Sequence, residues 1–553
     1  MDPSLKTGDS LQHRCGHCKR AIQVSSTEFP CSNCKKVFYC SEAHRKSHAS
    51  KHEKSGCFPA IIHSNSECGR YWVASRHIAV DEVIYMEKAS VLAPNIPTMS
   101  HLYPTCLGCC RGTNTTYRCS KCSWPVCNKR CEKLGSHSMN ECKIFRKNEV
   151  QPNCRPQYYF FIQFLRALLL KEKDPKGFEE LMQLESHIQA RMKVKDEVLM
   201  FKSFYKFLTE ECNMDYELDV VNHIVGVNRV NCYSGDALIN GKKRFCTAVF
   251  PKLSLINHNC RPNTRTILHE KDGGLYMELR SSMDIEEGEE ISQQYISSTK
   301  GTFLRRENLY EDWFFHCCCE RCSDSTEFNS FFSAIKCVNC SEGYLLPKNP
   351  LESDSPWVCV QISFQMLTPE TGCGYSRTSE NVKRLTDDID ARIKLAQQSP
   401  KALERILVEL SSHSLHPNHY LLIDIKFNVL DEIVRKLNYV KENGTCFGNV
   451  DDDDLLKAVE YAKSILGVIR MICSSRSYCI GIILYFLACT LMELRTRKVP
   501  TKFTDAQVEK VVKEAWTILH VESEGSSYRE MVKCLEDRSL VLDVENLSLR
   551  VQA

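Results

Sequence analysis

The sequence has little of what marks a membrane or nucleic-acid-binding protein. Its 72 Lys and Arg nearly balance its 69 Asp and Glu, so the net charge of +3 gives no general attraction to nucleic acid or anionic lipid. The longest apolar run, Cys479 to Met492, is shorter than the ~20 residues of a membrane span and predicts a buried helix. No apolar stretch stands at the start, so we expect no secretory signal and a cytoplasmic or nuclear protein.

Cysteine, by contrast, is abundant, with 33 residues in a chain of 553. In a reducing compartment, clustered thiols indicate metal sites rather than disulfides. The remaining composition, 43% hydrophobic and 25% charged, is that of a globular protein. The length predicts about three or four domains.

The first cysteine cluster contains four short pairs of zinc-ligand residues. They are Cys15 and Cys18, Cys31 and Cys34, Cys40 and His44, and His52 and Cys57. Eight ligands suffice for two tetrahedral zinc ions. We expect alternate pairs to share an ion, so that Cys15, Cys18, Cys40 and His44 bind one and Cys31, Cys34, His52 and Cys57 bind the other. The i, i+4 spacing predicts Cys40 and His44 on one face of a helix.

A second cluster repeats this order. Its pairs are Cys106 and Cys109, Cys119 and Cys122, Cys127 and Cys131, and His137 and Cys142. Because the protein supplies every ligand, these zinc ions are expected to be structural. The spacing differs from that of C2H2 fingers, so no sequence-specific nucleic-acid binding is expected. The order resembles the MYND zinc finger, which implies either docking of proline-containing peptides or bracing of neighbouring segments.

Two further clusters follow. Cys317, Cys319 and Cys322 need a fourth ligand, for which Cys260 is the candidate, and Cys318 is expected to point away. With the two fingers, this site predicts about five structural zinc ions. The last cluster has three cysteines in order, Cys337, Cys340 and Cys359. Ile362 occupies the position where the fourth cysteine, the partner of Cys359, would be expected. Either Cys373 completes a zinc ribbon there, or the segment is a degenerate element without metal.

Three motifs between and within these clusters stand in a fixed order. They are Asn257-His258-Asn259-Cys260, then Gly288-Glu289-Glu290-Ile291 with Tyr295, then the Cys317–Cys322 tail. In order and spacing they resemble the SET domain of protein-lysine methyltransferases. Upstream, the segments 69–74 and 83–87 resemble the opening SET strands, and the second finger interrupts the domain. A SET domain split by a MYND finger resembles the SMYD family. The additional first finger and the last cysteine cluster are most similar to its arthropod SmydA branch.

The resemblance implies an α+β multidomain fold: a mostly-β SET domain, zinc-braced MYND fingers, a helical insert and an α-helical, TPR-like C-terminal domain. Helical spacing of apolar residues over 402–410 agrees with the last of these. The expected segments are a MYND-like finger (15–57), the first part of SET (62–100), a second finger (106–142), a helical insert (150–226), the SET core (227–300), the post-SET motif (301–324), the ribbon segment (337–375) and the helical domain (378–553).

The resemblance also implies a function: S-adenosylmethionine-dependent methylation of lysine in histone or other proteins. Asn257 and His258 would hold the cofactor, and Tyr295 matches the catalytic tyrosine next to the transferring methyl group. Tyr233 would line the lysine channel, and no general base is assigned. Further positions that match cofactor contacts are Gly69, Arg70, Tyr71, Ser254 and Phe315.

The chain departs from the family pattern at two of these positions. Tyr71 stands where the family has a second glycine, and Trp313 replaces a second channel tyrosine. Glycine allows positive φ and close approach of the backbone to a ligand, and tyrosine allows neither freely. The alternative hypothesis is therefore an inactive SET and MYND scaffold that recruits protein partners, for example in transcriptional regulation.

Overall fold

A computed structural model gives the structure of the chain in segments. The described residues are 15, 17–18, 20, 22, 29–31, 38–55, 58–66, 68–95, 105–113, 117–152, 157–239, 242–271, 274–340, 342–361, 370–443, 450–522 and 526–536. They form a mostly-β core, zinc-finger-like cysteine clusters and two helical regions, which confirms the expected fold class.

The strands of the described residues all lie before Ser379. They are β1 (Phe29–Pro30), β2 (Phe38–Tyr39), β3 (Ala60–Asn65), β4 (Gly69–Ala74), β5 (Val83–Lys88), β6 (Val91–Pro94), β7 (Cys232–Ile239), β8 (Lys242–Val249), β9 (Asn257–His258), β10 (Thr264–Lys271), β11 (Gly274–Ser281), β12 (Glu290–Gln293), β13 (Ile335–Lys336), β14 (Gly343–Pro347), β15 (Trp357–Gln361) and β16 (Glu370–Arg377).

The helices of the fingers, the insert and the post-SET segment come first. They are α1 (Glu42–Ser55), α2 (Lys129–Lys133), α3 (Gly135–Ser138), α4 (Cys142–Lys147), α5 (Gln157–Lys173), α6 (Pro175–Met182), α7 (Ile188–Arg191), α8 (Lys195–Lys206, continued by a π-helical turn, Phe207–Glu211), α9 (Leu218–Asn231), α10 (Thr302–Trp313) and α11 (Glu320–Ser323).

From Ser379 onward, the regular elements of the described residues are all helices. Its helices are α12 (Ser379–Ala396), α13 (Pro400–His413), α14 (Tyr420–Asn443), α15 (Asp452–Ile472), α16 (Tyr478–Thr496), α17 (Asp505–Leu519) and α18 (Ser527–Glu536). Consecutive helices pack on one another from α13 to α18. Whether this array is of the TPR type stays a prediction.

Two features of this region follow directly from its sequence. Asp451 caps α15, and its side chain accepts a hydrogen bond from the Asp454 amide, so the acidic run lies at the positive end of the helix. The apolar run forms α16, which is long and apolar enough to cross a membrane. Because 72% of its most apolar window is buried by the other helices, α16 is the core helix of this bundle.

The SET core contains three small sheets, in the strand orders β3-β4-β12-β9, β10-β11-β5 and β6-β8-β7. All of their pairings are antiparallel except that of β12 with β9. In this parallel pair Gln293 lies opposite His258. Two residues earlier in β12, Ile291 lies opposite Trp72 of β4. The sheet therefore brings three segments together that are far apart in sequence, and it holds the Asn257-His258 motif beside the strand that leads to Tyr295.

The helical insert packs against the second finger. Aromatic side chains pack in both parts. Trp124 of the second finger stacks on Phe145 of α4 at a centroid distance of 4.7 Å, and Phe204 of α8 contacts Phe164 of α5 at 5.2 Å. Arg166 of α5 is buried and donates to the carbonyl oxygens of Leu92 and Leu107, at 2.6 and 2.9 Å. One arginine therefore joins the insert, strand β6 and the second finger.

Candidate active site and metal clusters

Tyr295 lies directly after β12 and is fixed at both ends. Its hydroxyl donates to the carbonyl oxygen of Ile256 at 2.8 Å, and its backbone N–H donates to Nδ1 of His258 at 3.0 Å. The rings of Trp313 and Phe315 lie 5.3 and 6.4 Å from its own ring, the latter edge-on. The first two motifs and the segment directly before the cysteine tail thus meet around Tyr295.

The electrostatics of this site keep both of its tyrosines protonated. Burial, and secondly the negative charge of Glu290, raise the pKa of Tyr295 above its ordinary value of ~10. Burial, and secondly Tyr295, raise the pKa of Tyr233 in the same direction. Both side chains are therefore neutral phenols at pH 7 and cannot serve as a phenolate base.

Gln293 is a site residue that the sequence reasoning missed. Its amide donates to the carbonyl oxygens of Leu253 and Ile256, both at 3.1 Å, and its oxygen accepts from Tyr233 at 2.9 Å. Because Tyr295 also donates to the Ile256 oxygen, Gln293 links the two tyrosines. Its side chain is buried. In the sequence, however, Gln293 occupies one of the three x positions of the Gly-Glu-Glu-Ile-x3-Tyr motif, so the motif does not identify it.

The side chains predicted to contact the cofactor already have partners within the chain. The Asn257 amide donates to Glu290 Oε1 at 2.9 Å, and the Ser254 hydroxyl donates to the Phe250 oxygen at 2.9 Å. Both ring nitrogens of His258 are engaged, Nδ1 by the Tyr295 amide and Nε2 by Cys260 Sγ at 3.3 Å. The backbone of the Asn257-His258 segment is thus the part of this motif that would contact the cofactor.

The segment 69–71 begins strand β4. Gly69 has φ of +68°, and no atom lies within 4 Å of the place where a Cβ would be, so its backbone borders open space. This open side fits close approach of a cofactor to the backbone. Arg70 donates instead to the carbonyl oxygen of Gln183 in the insert.

The two departures from the family pattern have different structural settings. Tyr71 is an ordinary strand residue opposite His63, without positive φ, so this position does not require the backbone freedom of glycine. Trp313 ends α10 beside Tyr295, where its indole N–H donates to the Val230 oxygen at 3.0 Å. The tryptophan is therefore fixed beside Tyr295, and it contributes bulk and no hydroxyl there.

The cysteine cluster after the SET core has the expected composition. The Sγ atoms of Cys260, Cys317, Cys319 and Cys322 all lie within 4.8 Å of one another. Four thiolates at this separation fit a tetrahedral zinc ion. Since Nδ1 of His258 accepts a hydrogen bond, its proton is on Nε2 and is donated to Cys260 Sγ. One imidazole thus connects this cluster to the backbone of Tyr295.

A buried charge network surrounds the same cluster. Nε of Arg305 donates to Cys260 Sγ at 3.1 Å, while Glu327 accepts from both Arg305 and Arg321, at 2.8 and 2.9 Å. None of these three side chains is more than 1% exposed. Burial raises the pKa of Glu327, but the two arginines outweigh it and hold that pKa below its ordinary value. The sequence does not reveal this network, since no spacing rule connects its members.

Three of the four ligand groups predicted for the fingers come together in the described residues. The structure groups Cys15, Cys18, Cys40 and His44, then Cys106, Cys109, Cys127 and Cys131, then Cys119, Cys122, His137 and Cys142. In the first finger, Cys34 and Cys57 lie outside the described residues, so the predicted set of Cys31, Cys34, His52 and Cys57 stays a prediction.

The helical placement of the ligand pairs was predicted only in part. Helix α1 begins at Glu42, and Cys40 precedes it; likewise α2 begins at Lys129, and Cys127 precedes it. In the second finger the reason is Asn128, whose side chain caps α2 by accepting from the amides of Arg130 and Cys131. The first cysteine of each pair therefore comes from the loop, and the second ligand from the helix.

His137 of the second finger belongs to a buried triad. Its Nδ1 lies 2.8 Å from Glu141 Oε1, and its Nε2 lies 3.5 Å from Cys122 Sγ on the ligand side. Nη2 and Nε of Arg166 donate to the two oxygens of Glu141, at 2.7 and 2.8 Å. A carboxylate of this kind fixes the tautomer and orientation of a zinc-binding histidine.

The last cysteine cluster also assembles. Cys337, Cys340, Cys359 and Cys373 have their Sγ atoms within 4.8 Å of one another, so the partner of Cys359 is Cys373. Ile362 lies outside the described residues. Five clusters among the described residues therefore fit zinc, but this set of five differs from the expected one, because it includes the ribbon and not the second site of the first finger.

Comparisons with known proteins agree with this architecture. A MYND finger model matches residues 15–56, and a SET domain model matches residues 69–296, across the second finger. SET domain-containing protein SmydA-8, isoform A, of Drosophila melanogaster is 26% identical over 68% of this chain and 78% of its own length. Histone-lysine N-methyltransferase ASHR1 of Arabidopsis thaliana is 26% identical over 61% of this chain and 68% of its own length. Histone-lysine N-methyltransferase Smyd1 of Mus musculus is 25% identical over 48% of this chain and 56% of its own length.

Proposed function

We propose that this chain, which belongs to the SMYD family and is similar to its arthropod SmydA branch, is a protein-lysine N-methyltransferase that uses S-adenosylmethionine. The observation that carries the proposal is the convergence of the Asn257-His258 segment, Gln293 and the buried Tyr295 hydroxyl in one site. The SET relatives support the reaction class.

When bound, the cofactor supplies an activated methyl group on a positively charged sulfonium. The open backbone at Gly69 and the segment 257–258 are the parts of the chain that would hold it. The hydroxyl of Tyr295, held by the Ile256 oxygen, would orient the incoming amine in line with that methyl group.

The attacking lysine must be neutral. With an ordinary pKa of ~10.4, only about 1 in 2,500 lysine amines is neutral at pH 7, a cost of roughly 4.6 kcal/mol. Trp313 and Phe315 pack beside Tyr295 and give the site an apolar surface. A lysine amine that reached this surface would lose contact with water, and desolvation favours the neutral amine. Since burial keeps Tyr295 protonated, this side chain acts by hydrogen bonding, and the proton leaves to solvent before transfer.

Tyr295→Phe tests the proposal. Removal of one hydrogen-bonding group that acts in the transition state costs about 10²-fold or more in kcat. The cost in stability is small, about 1 kcal/mol, because the Ile256 oxygen still accepts from Gln293. The measurement is transfer of radiolabelled methyl from the cofactor to a broad protein mixture, with zinc-loaded protein at high concentration.

Tyr310→Phe is the matched control, since Tyr310 is exposed and its ring stacks on His316. This control is expected to keep the activity of the unaltered chain. Absence of labelling by the unaltered, folded protein would contradict the proposal, and so would equal activity of Tyr295→Phe.

A second function is favoured by Trp313. Its ring lies against Tyr295 and is fixed by the Val230 oxygen, where the family has a smaller residue with a hydroxyl. If this bulk blocks the amine, the chain is a scaffold that recruits proteins through its fingers. Titration calorimetry with S-adenosylmethionine separates the two functions, because a scaffold of this kind has no need to bind the cofactor.

A further inference from the structure

We propose that Cys337, Cys340, Cys359 and Cys373 bind a structural zinc ion that fastens the β13–β16 sheet to the C-terminal helices. This ribbon site is separate from the SET core and does not depend on methyltransferase activity. Its four Sγ atoms come from three places: the β13–β14 connection, the middle of β15 and the middle of β16.

The spacing of the thiols fits zinc. Four sulfurs at ~2.3 Å from a tetrahedral zinc ion lie about 3.8 Å from one another. In the ribbon site, Cys337 Sγ is 3.7 Å from Cys373 Sγ, and Cys340 Sγ is 3.7 Å from Cys359 Sγ. The sulfurs of the second finger show the same separation, 3.6 Å between Cys109 and Cys127. A disulfide requires ~2.05 Å, so these cysteines are not paired in that way.

The backbone is adapted to bring the sulfurs together. The pairing of β15 with β16 changes register between Val358 and Val360, so Cys359 sits at a bulge. A bulge redirects a side chain out of the regular alternation of a strand. Because of this shift, the stretch of β16 that contains Cys373 is not paired with β15. The Cys373 sulfur can therefore reach the Cys359 sulfur.

Two glycines make room for the cluster. A Cβ on Gly343 would lie 2.8 Å from Cys340 Sγ, and a Cβ on Gly372 would lie 2.5 Å from Cys359 Sγ. Any other residue at these two positions would push the sulfurs apart. Glycine at both positions therefore leaves the space that four thiols around one ion require.

Hydrogen-bond donors also face the sulfurs. The backbone N–H of Asn339 donates to Cys337 Sγ at 3.4 Å, and its side-chain amide donates to Cys373 Sγ at 3.3 Å. Donors of this kind stabilise the negative charge of metal-bound thiolates. Asn339 is exposed, so its side-chain amide could donate to water. It donates to the Cys373 sulfur instead.

The site lies where the sheet meets the helices. Cys337 and Cys359 belong to the same hydrophobic core as α13 and α14. Next to Cys337, the N–H of Lys336 donates to the Ser414 oxygen at 2.9 Å, and Ile335 forms a β-bridge with Leu415, just after α13. A metal ion that fixes β13 therefore also fixes the connection between α13 and α14.

The test is the double variant Cys340→Ser/Cys373→Ser in the full-length protein. Cys373 is exposed and Cys340 is only half-buried, so their replacement leaves the core intact. Elemental analysis and native mass spectrometry are expected to find one zinc ion fewer per chain than in the unaltered protein. Hydrogen exchange measured by mass spectrometry is expected to increase in 335–361 and in the 410–420 segment, and to stay unchanged in the second finger.

Cys68→Ser is the matched control, since Cys68 is an exposed cysteine outside every cluster of the described residues, and it should keep the full zinc content. Equal zinc content of the double variant and the unaltered chain would overturn the proposal. Loss of iron in place of zinc would overturn the choice of metal. Loss of zinc without any change in exchange of the 410–420 segment would overturn the fastening role.

Discussion

Glu327→Gln removes the negative charge from the buried charge network beside the Cys260 cluster. Glu327 forms ion pairs with both Arg305 and Arg321, and all three side chains are excluded from water. The change preserves size and an acceptor oxygen. The new amide group can face Ser333, whose hydroxyl now donates to Glu327 Oε1 at 2.5 Å, so the main loss is the negative charge.

The expected loss of stability depends on which contacts the two arginines keep after the substitution. Removal of one partner from a buried ion pair costs about 3–5 kcal/mol, because the remaining charge is buried without compensation. Here Arg305 still donates to Cys260 Sγ, and Arg321 still donates to the Ser298 oxygen at 2.7 Å, which places the cost near the lower end. We expect a loss of about 3 kcal/mol, a large part of the 5–15 kcal/mol that stabilises a typical domain.

Hydrogen exchange of α10 is the appropriate assay, since a chain of several domains does not unfold in one step. A loss of about 3 kcal/mol corresponds to roughly 100-fold faster exchange through local opening. The same loss should lower the retention of zinc at the neighbouring cluster, because Arg305 also contacts Cys260. The effect should fade in acid: the pKa of folded Glu327 lies below its unfolded value of ~4.3, so its contribution is present above that pH and lost as the pH falls further.

Glu320→Gln is the control, because Glu320 lies nearby at the start of α11 but is exposed. This variant should exchange like the unaltered chain. Equal exchange of α10 in Glu327→Gln and Glu320→Gln would refute the view that a buried charge network supports this region.

Two further predictions concern other buried carboxylates. Glu141→Gln removes the charged partner of His137 and Arg166, and should weaken zinc binding by the second finger about 10–100-fold in competition with a chelator; unchanged affinity would contradict the triad. Burial raises the pKa of Asp431 to about 6, although Arg435 opposes the shift. Because this folded pKa exceeds the unfolded value of ~3.9, ionisation of Asp431 destabilises the fold as the pH rises from about 4 to 6, and Asp431→Asn should gain on the order of 2 kcal/mol at pH 7.5 but little at pH 4. Equal gains in thermal stability at the two pH values would exclude this explanation.

The cysteine pairs and the SET motifs were predictable because their information is local or ordered along the chain. A two-residue spacer brings the sulfurs of Cys106 and Cys109 to one ion without help from the rest of the fold. The ligand alternation of the second finger follows from the same short spacers, and the structure reproduces it. The choice of Cys260 as the distant fourth ligand rested on its place beside Asn257 and His258, and it too agrees with the structure.

By itself, then, the sequence determined which residue types supply metal ligands, which motifs surround Tyr295, and that the last third is helical. Only the tertiary structure decided that Cys373 joins Cys359, that Gln293 links the two tyrosines, and that Glu327 neutralises two arginines. The physical reason is that these partners are single residues on different elements, with no periodicity or spacing to connect them. They meet because β-sheet register and helix packing place them together, and burial then makes each interaction strong.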